Sequence, residues 1–170
     1  YFLIKNKFFK KTKYDRNYKI IIDLKWENQI YSSESYFRDR TFCFLNIEHT
    51  FVSKIEWNYN KIDKLWSYNL NYFDYLNQKN IDKKVGLNLI KDFIKNYNKI
   101  IVGKEPYPTS IRIINWIKFI SKHKVKDNLI FEILHEDAKR LSGNIEYHIL
   151  GNHILENGFA LFFAGSLFND

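Results

Sequence analysis

The 170-residue sequence contains no methionine, one cysteine, two prolines and six glycines. Each scarcity excludes something. Collagen-like and linker-like chains need far more Gly and Pro. A lone Cys43 cannot close an internal disulfide, so no disulfide framework holds the fold. That leaves the compartment open, because a secreted protein of this size needs no disulfides. A chain that lacks Met and opens at Tyr1 is expected to have a natural start that is missing, processed or trimmed, possession of a signal peptide being undecided. No apolar run reaches the roughly 18–20 residues of a bilayer span. Phe162 and Phe163 lie in an apolar stretch, but Glu156, Asn157 and Asp170 bracket it closely. There is no Gly-rich phosphate loop, no G-x-S-x-G elbow and no histidine pairing around Cys43 for a thiol nucleophile.

What is present is apolar and basic. With 45% hydrophobic and 18% aromatic residues, the chain can bury a core, which excludes wholesale disorder. Its length suits one domain or part of a larger one. Lys and Arg number 27 against 19 Asp and Glu, a formal net charge of +8. Two readings of this excess stand. Lys, Asn, Ile, Tyr and Phe share AT-rich codons, so a biased genome raises charge and aromatic content together. Alternatively, a positive field attracts a polyanion such as nucleic acid, anionic lipid or acidic polysaccharide. Apart from residues 5–13 the basic residues are scattered, which argues against a nucleic-acid partner.

The hydrophobic pattern divides the chain near residue 60. Residues 1–60 read as an irregular entry segment. Residues 10–13 are a charge cluster of the kind that usually faces water. Residues 18–24 suit a short strand, and residues 41–45 and 50–57 suit a small hairpin joined by 46–49. Residues 61–170 read as about five helices joined by short loops. Asp63 caps the first, with Leu65, Trp66, Leu70, Phe73 and Leu76 at helical spacing. Asp82 caps the second, which carries Val85, Leu89, Phe93 and Ile94, with Tyr97 beyond. Thr109 or Ser110 caps the third, which buries Ile113, Trp116, Ile117 and Ile120. Asp127 caps the fourth, with Ile130, Ile133, Leu134 and Leu141 inward and Gly143 near its end. The fifth, over 152–167, is apolar on most of its circumference, as a helix buried between neighbours is. Successive antiparallel helices fit a bundle or a helical toroid. Because the chain stops at Asp170, it is expected to be the N-terminal part of a larger helical domain.

Three stretches combine polar groups with aromatics. Residues 146–157 (EYHILGNHILEN) place an amide, two imidazoles and carboxylates at the start of the last helix. His153 and Glu156 are three apart and His148 and Asn152 four apart, which on a helix shares a face. The alternative is a set of capped, hydrogen-bonded core polars. His148 and His153 are five apart, the wrong spacing for a helical zinc pair. Residues 105–116 (EPYPTSIRIINW) put Arg112 and Trp116 four apart. A guanidinium can fork a carboxylate and an indole can stack on a sugar face; equally, Trp116 is core and Arg112 pairs with a local acid. Residues 66–76 form an aromatic helix interrupted by Asn69, Tyr72 and Asp74, a pattern most often found in cores.

Taken together and in order, residues 65–76 (LWSYNLNYFDYL), 106–118 (PYPTSIRIINWIK) and 146–165 (EYHILGNHILENGFALFFAG) resemble the N-terminal domain of the heparinase II/III family of polysaccharide lyases. Residues 42–49 (FCFLNIEH) and 55–57 (IEW) resemble the extended stretch ahead of it. The similarity spans roughly residues 42–168. It implies a mainly α fold, a partial α/α toroid (an incomplete helical barrel) with a short extended N-terminal segment. It also implies export, often to the periplasm. The implied activity is β-elimination on uronic-acid-containing polysaccharides of the heparan sulfate or alginate kind, with no cofactor and no metal. A noncatalytic acidic-glycan-binding domain is the alternative. By resemblance Asn152 binds the sugar carboxylate. His153 helps neutralise it or takes the C5 proton, and Glu156 supports the site. Arg112, Trp116 and His148 are further candidates for substrate binding on chemical grounds. The family's principal acid/base tyrosine lies beyond residue 170, and Tyr68, Tyr72, Tyr107 and Tyr147 do not match it. The expected partners are therefore an acidic polysaccharide and the remaining C-terminal part of the same chain. This polypeptide alone is expected to be inactive.

Overall fold

The computed structural model describes residues 19–24, 30–149 and 151–169. The described chain is mainly helical, with one two-stranded antiparallel sheet and five α-helices. The basic cluster at 10–13 lies outside the described residues, as do Tyr18, Leu150 and Asp170.

Strands β1 (Thr41–Phe44) and β2 (Ile47–Thr50) pair with Phe44 opposite Ile47 and Thr41 opposite Thr50. The hairpin is tighter than its sequence suggests. The connection is Leu45–Asn46, both at positive φ (55° and 61°), which matches the right-handed twist of the strands. The second strand therefore starts at Ile47 and not at Thr50. Residues 19–24 form no strand. They run extended across the far end of the helices, where Ile21 N–H donates to Leu167 O at 2.8 Å and Ser121 Oγ donates to Ile22 O at 2.8 Å.

The helices are α1 (Lys64–Tyr72), α2 (Lys83–Asn96), α3 (Pro106–Lys122), α4 (Asn128–Ser142) and α5 (Asn152–Phe168). Three begin on the expected aspartates. Asp63, Asp82 and Asp127 accept from the backbone N–H groups of Trp66, Val85 and Leu129 at 2.6, 2.8 and 3.0 Å. Each bond satisfies a donor that has no partner inside the helix. Helix α3 starts earlier than Thr109, with Pro106 in its first turn after Glu105. Proline fits there because its φ is already helical and the missing N–H would be unpaired anyway.

Helix α1 stops at Phe73, whose φ of 61° is left-handed, and a short 3-10 turn (Asp74–Asn77) follows. A bulky residue in that region costs roughly 1–3 kcal/mol. Packing on three sides offsets it: Trp57 stacks on Phe73 at 5.2 Å, while Phe93 and Trp116 meet its ring edge-on at 5.1 and 5.3 Å. The hairpin joins the same core, with Phe42 against Tyr75 at 5.2 Å and Phe44 against Trp66 at 5.1 Å.

Helix α3 is the central element, with 12 of its 17 residues buried against α1, α4 and α5. Ile113, Ile117 and Ile120 are fully enclosed, and each such burial stabilises by roughly 1.5–3 kcal/mol. Helix α5 buries one side only, although apolar residues cover most of its circumference. It packs through Asn157, Ala160, Ala164, Leu167 and Phe168. Leu155, Phe159 and Phe162 point outward, 55%, 47% and 70% exposed. No helix among the described residues is long and apolar enough to cross a membrane.

Candidate functional site

The start of α3, the end of α4 and the start of α5 lie at one end of the molecule, bridged by side-chain bonds. Asn157 of α5 donates to Ser110 Oγ of α3 at 3.0 Å, and Arg112 of α3 donates to Asp137 of α4 at 2.7 and 3.0 Å. The loop from α4 returns to this end and enters α5 through Gly151, at φ 94°, a conformation that favours glycine. Gly151 has no side chain to cap the helix, so the first amides of α5 lack a capping acceptor and favour an approaching anion.

Asn152 and His153 open α5. Asn152 is exposed, and its Nδ2 donates to the Tyr107 hydroxyl at 3.2 Å. His153 keeps 28% of its side chain exposed and packs against the Tyr107 ring with centroids 4.3 Å apart. Its Nδ1 lies 3.1 Å from Glu146 Oε2. Glu146 is buried, and its backbone N–H donates to Asn157 Oδ1 at 2.9 Å. Glu156 is half-buried one turn along α5, near enough to Tyr107 to act on it electrostatically. Burial pushes the Tyr107 phenol above its ordinary value, the Glu156 charge adds to this, and the bond from Asn152 opposes it. The phenol therefore stays protonated and can donate.

The aromatic surface continues from Tyr107 to α1. Tyr72 meets Tyr107 at 5.9 Å and Tyr68 lies 6.2 Å beyond. Tyr68 donates to Glu105 Oε2, which also takes Lys64 at 2.9 Å. Burial first, and the Glu105 bond second, push the Tyr68 phenol up to about 12. Asp74 accepts from Asn115 Nδ2 at 2.6 Å, and burial raises its carboxyl above the usual range.

No protein-family model, curated protein or solved structure matches this chain. The family reading therefore rests on the chain's own residues. Of the six side chains expected at the site, the structure brings Asn152, His153 and Glu156 together on one surface of α5. His148 is exposed in the preceding loop.

Arg112 and Trp116 require correction: both are 0% exposed and neither can reach a substrate. Arg112 is fully engaged by Asp137, Thr109 Oγ1 and the carbonyl of Gly103, with its guanidinium 4.7 Å from the Phe93 ring centroid. Trp116 packs edge-on against Phe73 and Phe93. Their four-residue spacing reflects a buried face of α3, and the acid facing Arg112 comes from another helix. The polar stretch 146–157 already held Glu146 and Asn157, with Asn157 four residues from His153, but the approach of Tyr107 and the pairing of Glu146 with His153 did not follow from spacing. Glu146 precedes His153 by seven residues across a loop, where helical spacing has no meaning. Tyr107 carried only a weak signal, a polar aromatic between two prolines at a helix start. Among the described residues, no group of three His, Cys, Asp or Glu side chains is placed to hold a metal ion.

Proposed function

We propose that this chain supplies the uronate-recognising part of a polysaccharide lyase acting by β-elimination. The observation that carries the reading is the placement of the Asn152 amide and the His153 imidazole side by side at the surface, at the uncapped start of α5, tied together by Tyr107.

Elimination removes the proton on C5, next to the sugar carboxylate, and breaks the bond from C4 to the glycosidic oxygen. The C5–H electron pair becomes the new C4–C5 double bond, and the departing oxygen takes up a proton. Negative charge builds on a group that is already an anion, so donors preset around the carboxylate lower the barrier. In this reading Asn152 donates to the carboxylate. His153 either donates to it or accepts the C5 proton. Glu146 and Glu156 both stand near this position, so the arriving carboxylate needs those donors to offset two like charges.

The same reading makes the five helices the opening part of an incomplete α/α toroid. The outward stripe of Leu155, Phe159 and Phe162 supports it, as the face that a further helix of such a toroid covers.

The test is calorimetric titration of the chain with heparan sulfate and alginate oligosaccharides, with unsaturated product followed by its absorbance. Binding without product is the expected result, and Asn152→Ala and His153→Ala each weaken it. Equal binding by wild type and both variants, or binding unaffected by replacing the uronate with a neutral sugar, overturns the proposal.

A further inference from the structure

We propose that Glu146 is a positioning residue that fixes the tautomer of His153, so that Nε2 is the ring atom His153 presents outward. The proposal deepens the uronate reading and rests on it only for the identity of the ligand that Nε2 meets.

Glu146 is itself held in place. Asn157, fully buried on α5, accepts the Glu146 backbone N–H at 2.9 Å through Oδ1, and its Nδ2 lies 3.5 Å from Glu146 Oε2 and 3.0 Å from Ser110 Oγ. One amide thus clamps the main chain and the side chain of Glu146 and anchors both to α3. The carboxylate is left facing His153 Nδ1 at 3.1 Å. An ionised carboxylate accepts and never donates, so Nδ1 must carry the hydrogen. A bare Nδ1 lone pair at that distance would face the carboxylate oxygen without a hydrogen between them, a repulsive contact. In the neutral ring the lone pair then resides on Nε2, and in the cation Nε2 carries an outward N–H. Tyr107, 4.3 Å away and tilted by 34°, restrains the ring so that this second nitrogen keeps one direction.

The arrangement narrows the two roles open to His153. Whether it donates to a uronate carboxylate or accepts the C5 proton, the working atom is the same. This follows from an acid outside the last helix, and nothing in the Gly-Asn-His block itself specifies it.

The test is the nitrogen-15 spectrum of the His153 ring in the full chain without glycan, on the titration plateau where the ring is neutral. An unconstrained histidine favours hydrogen on Nε2. Wild type is expected to show hydrogen on Nδ1. Glu146→Gln keeps the shape but offers a neutral acceptor or a donor, and a charge-assisted bond is about twice as strong as a neutral one, so the Nδ1–H to Nε2–H ratio should fall roughly tenfold. Hydrogen on Nε2 in the wild type overturns the proposal, and this needs no variant to fold. An unchanged ratio in Glu146→Gln overturns it as well. The uronate reading is scored separately by Asn152→Ala, which leaves the His153 tautomer alone: if oligosaccharide binding survives that change while Nδ1–H is seen, the uronate reading fails and the positioning role stands.

Discussion

Tyr107 touches both members of the candidate pair at once: its hydroxyl accepts from Asn152 Nδ2 at 3.2 Å, and its ring lies 4.3 Å from the imidazole of His153. A residue from the first turn of α3 thus sets the geometry at the start of α5. Tyr107→Phe separates the two contacts, since the ring stays and the acceptor goes. The loss should be about 1 kcal/mol, roughly fivefold in uronate affinity, with thermal stability nearly unchanged. Tyr107→Ala should lose more, because the restraint on His153 goes too. Calorimetric titration beside a melting curve measures both, and equal affinities for Phe and wild type would show that the bond to Asn152 has no part in binding.

Arg112 tests the boundary between core and site. Its guanidinium and the Asp137 carboxylate are both enclosed, with Tyr97 donating to the other Asp137 oxygen at 2.5 Å. Arg112→Ala leaves that carboxylate buried beside a void and should cost about 3–5 kcal/mol in urea unfolding. The double change Arg112→Met with Asp137→Leu should recover part of this, since no lone charge remains. A stable Arg112→Ala protein with weakened glycan binding would return Arg112 to the site.

Two glycines predict opposite outcomes. A Cβ on Gly103 would overlap Asn71 Oδ1 and sit 3.0 Å from Ile100 Cγ2, so Gly103→Ala should destabilise. A Cβ on Gly158 meets nothing within 4 Å and extends the outward stripe of α5. Gly158→Ala should stabilise this chain by about 0.5–1 kcal/mol through the unfolded state, raising Tm by roughly 1–4 °C. A lower Tm for Gly158→Ala would mean that something already packs closely on that face.

Alkaline stability should depend on Tyr68. The fold raises its phenol from 10.0 to about 12, chiefly by burial and then by the Glu105 bond. The folded state thus favours the neutral form. The contribution is complete below pH 10 and is lost as pH rises through about 12. Tyr68→Phe removes this increment, so the gap in Tm between wild type and variant should shrink between pH 9 and pH 11.5. A gap that stays constant would show that the phenol bond does not contribute to stability.

Local signals were legible where neighbours in sequence are neighbours in space. The three aspartate caps and the inward stripes of α3 and α4 follow from spacing, because one turn of helix brings those residues together. The hairpin was misplaced because its turn uses Leu45–Asn46 at positive φ, with no glycine to mark it. Asn157, Ala160 and Ala164, small or polar, take the buried side and let α5 approach its neighbours closely, while the larger Leu155, Phe159 and Phe162 face outward.

By itself the sequence determined the helical class and the aspartate caps of α1, α2 and α4, since these depend on periodicity and on nearby residues, and it set Asn152 beside His153. Only the tertiary structure decided what surrounds that pair. Tyr107 reaches it from α3 and Glu146 from the loop before α5, while Asp137 draws Arg112 into the core. Such contacts are set by how helices pack, and packing brings together residues whose separation along the chain carries no periodic signal.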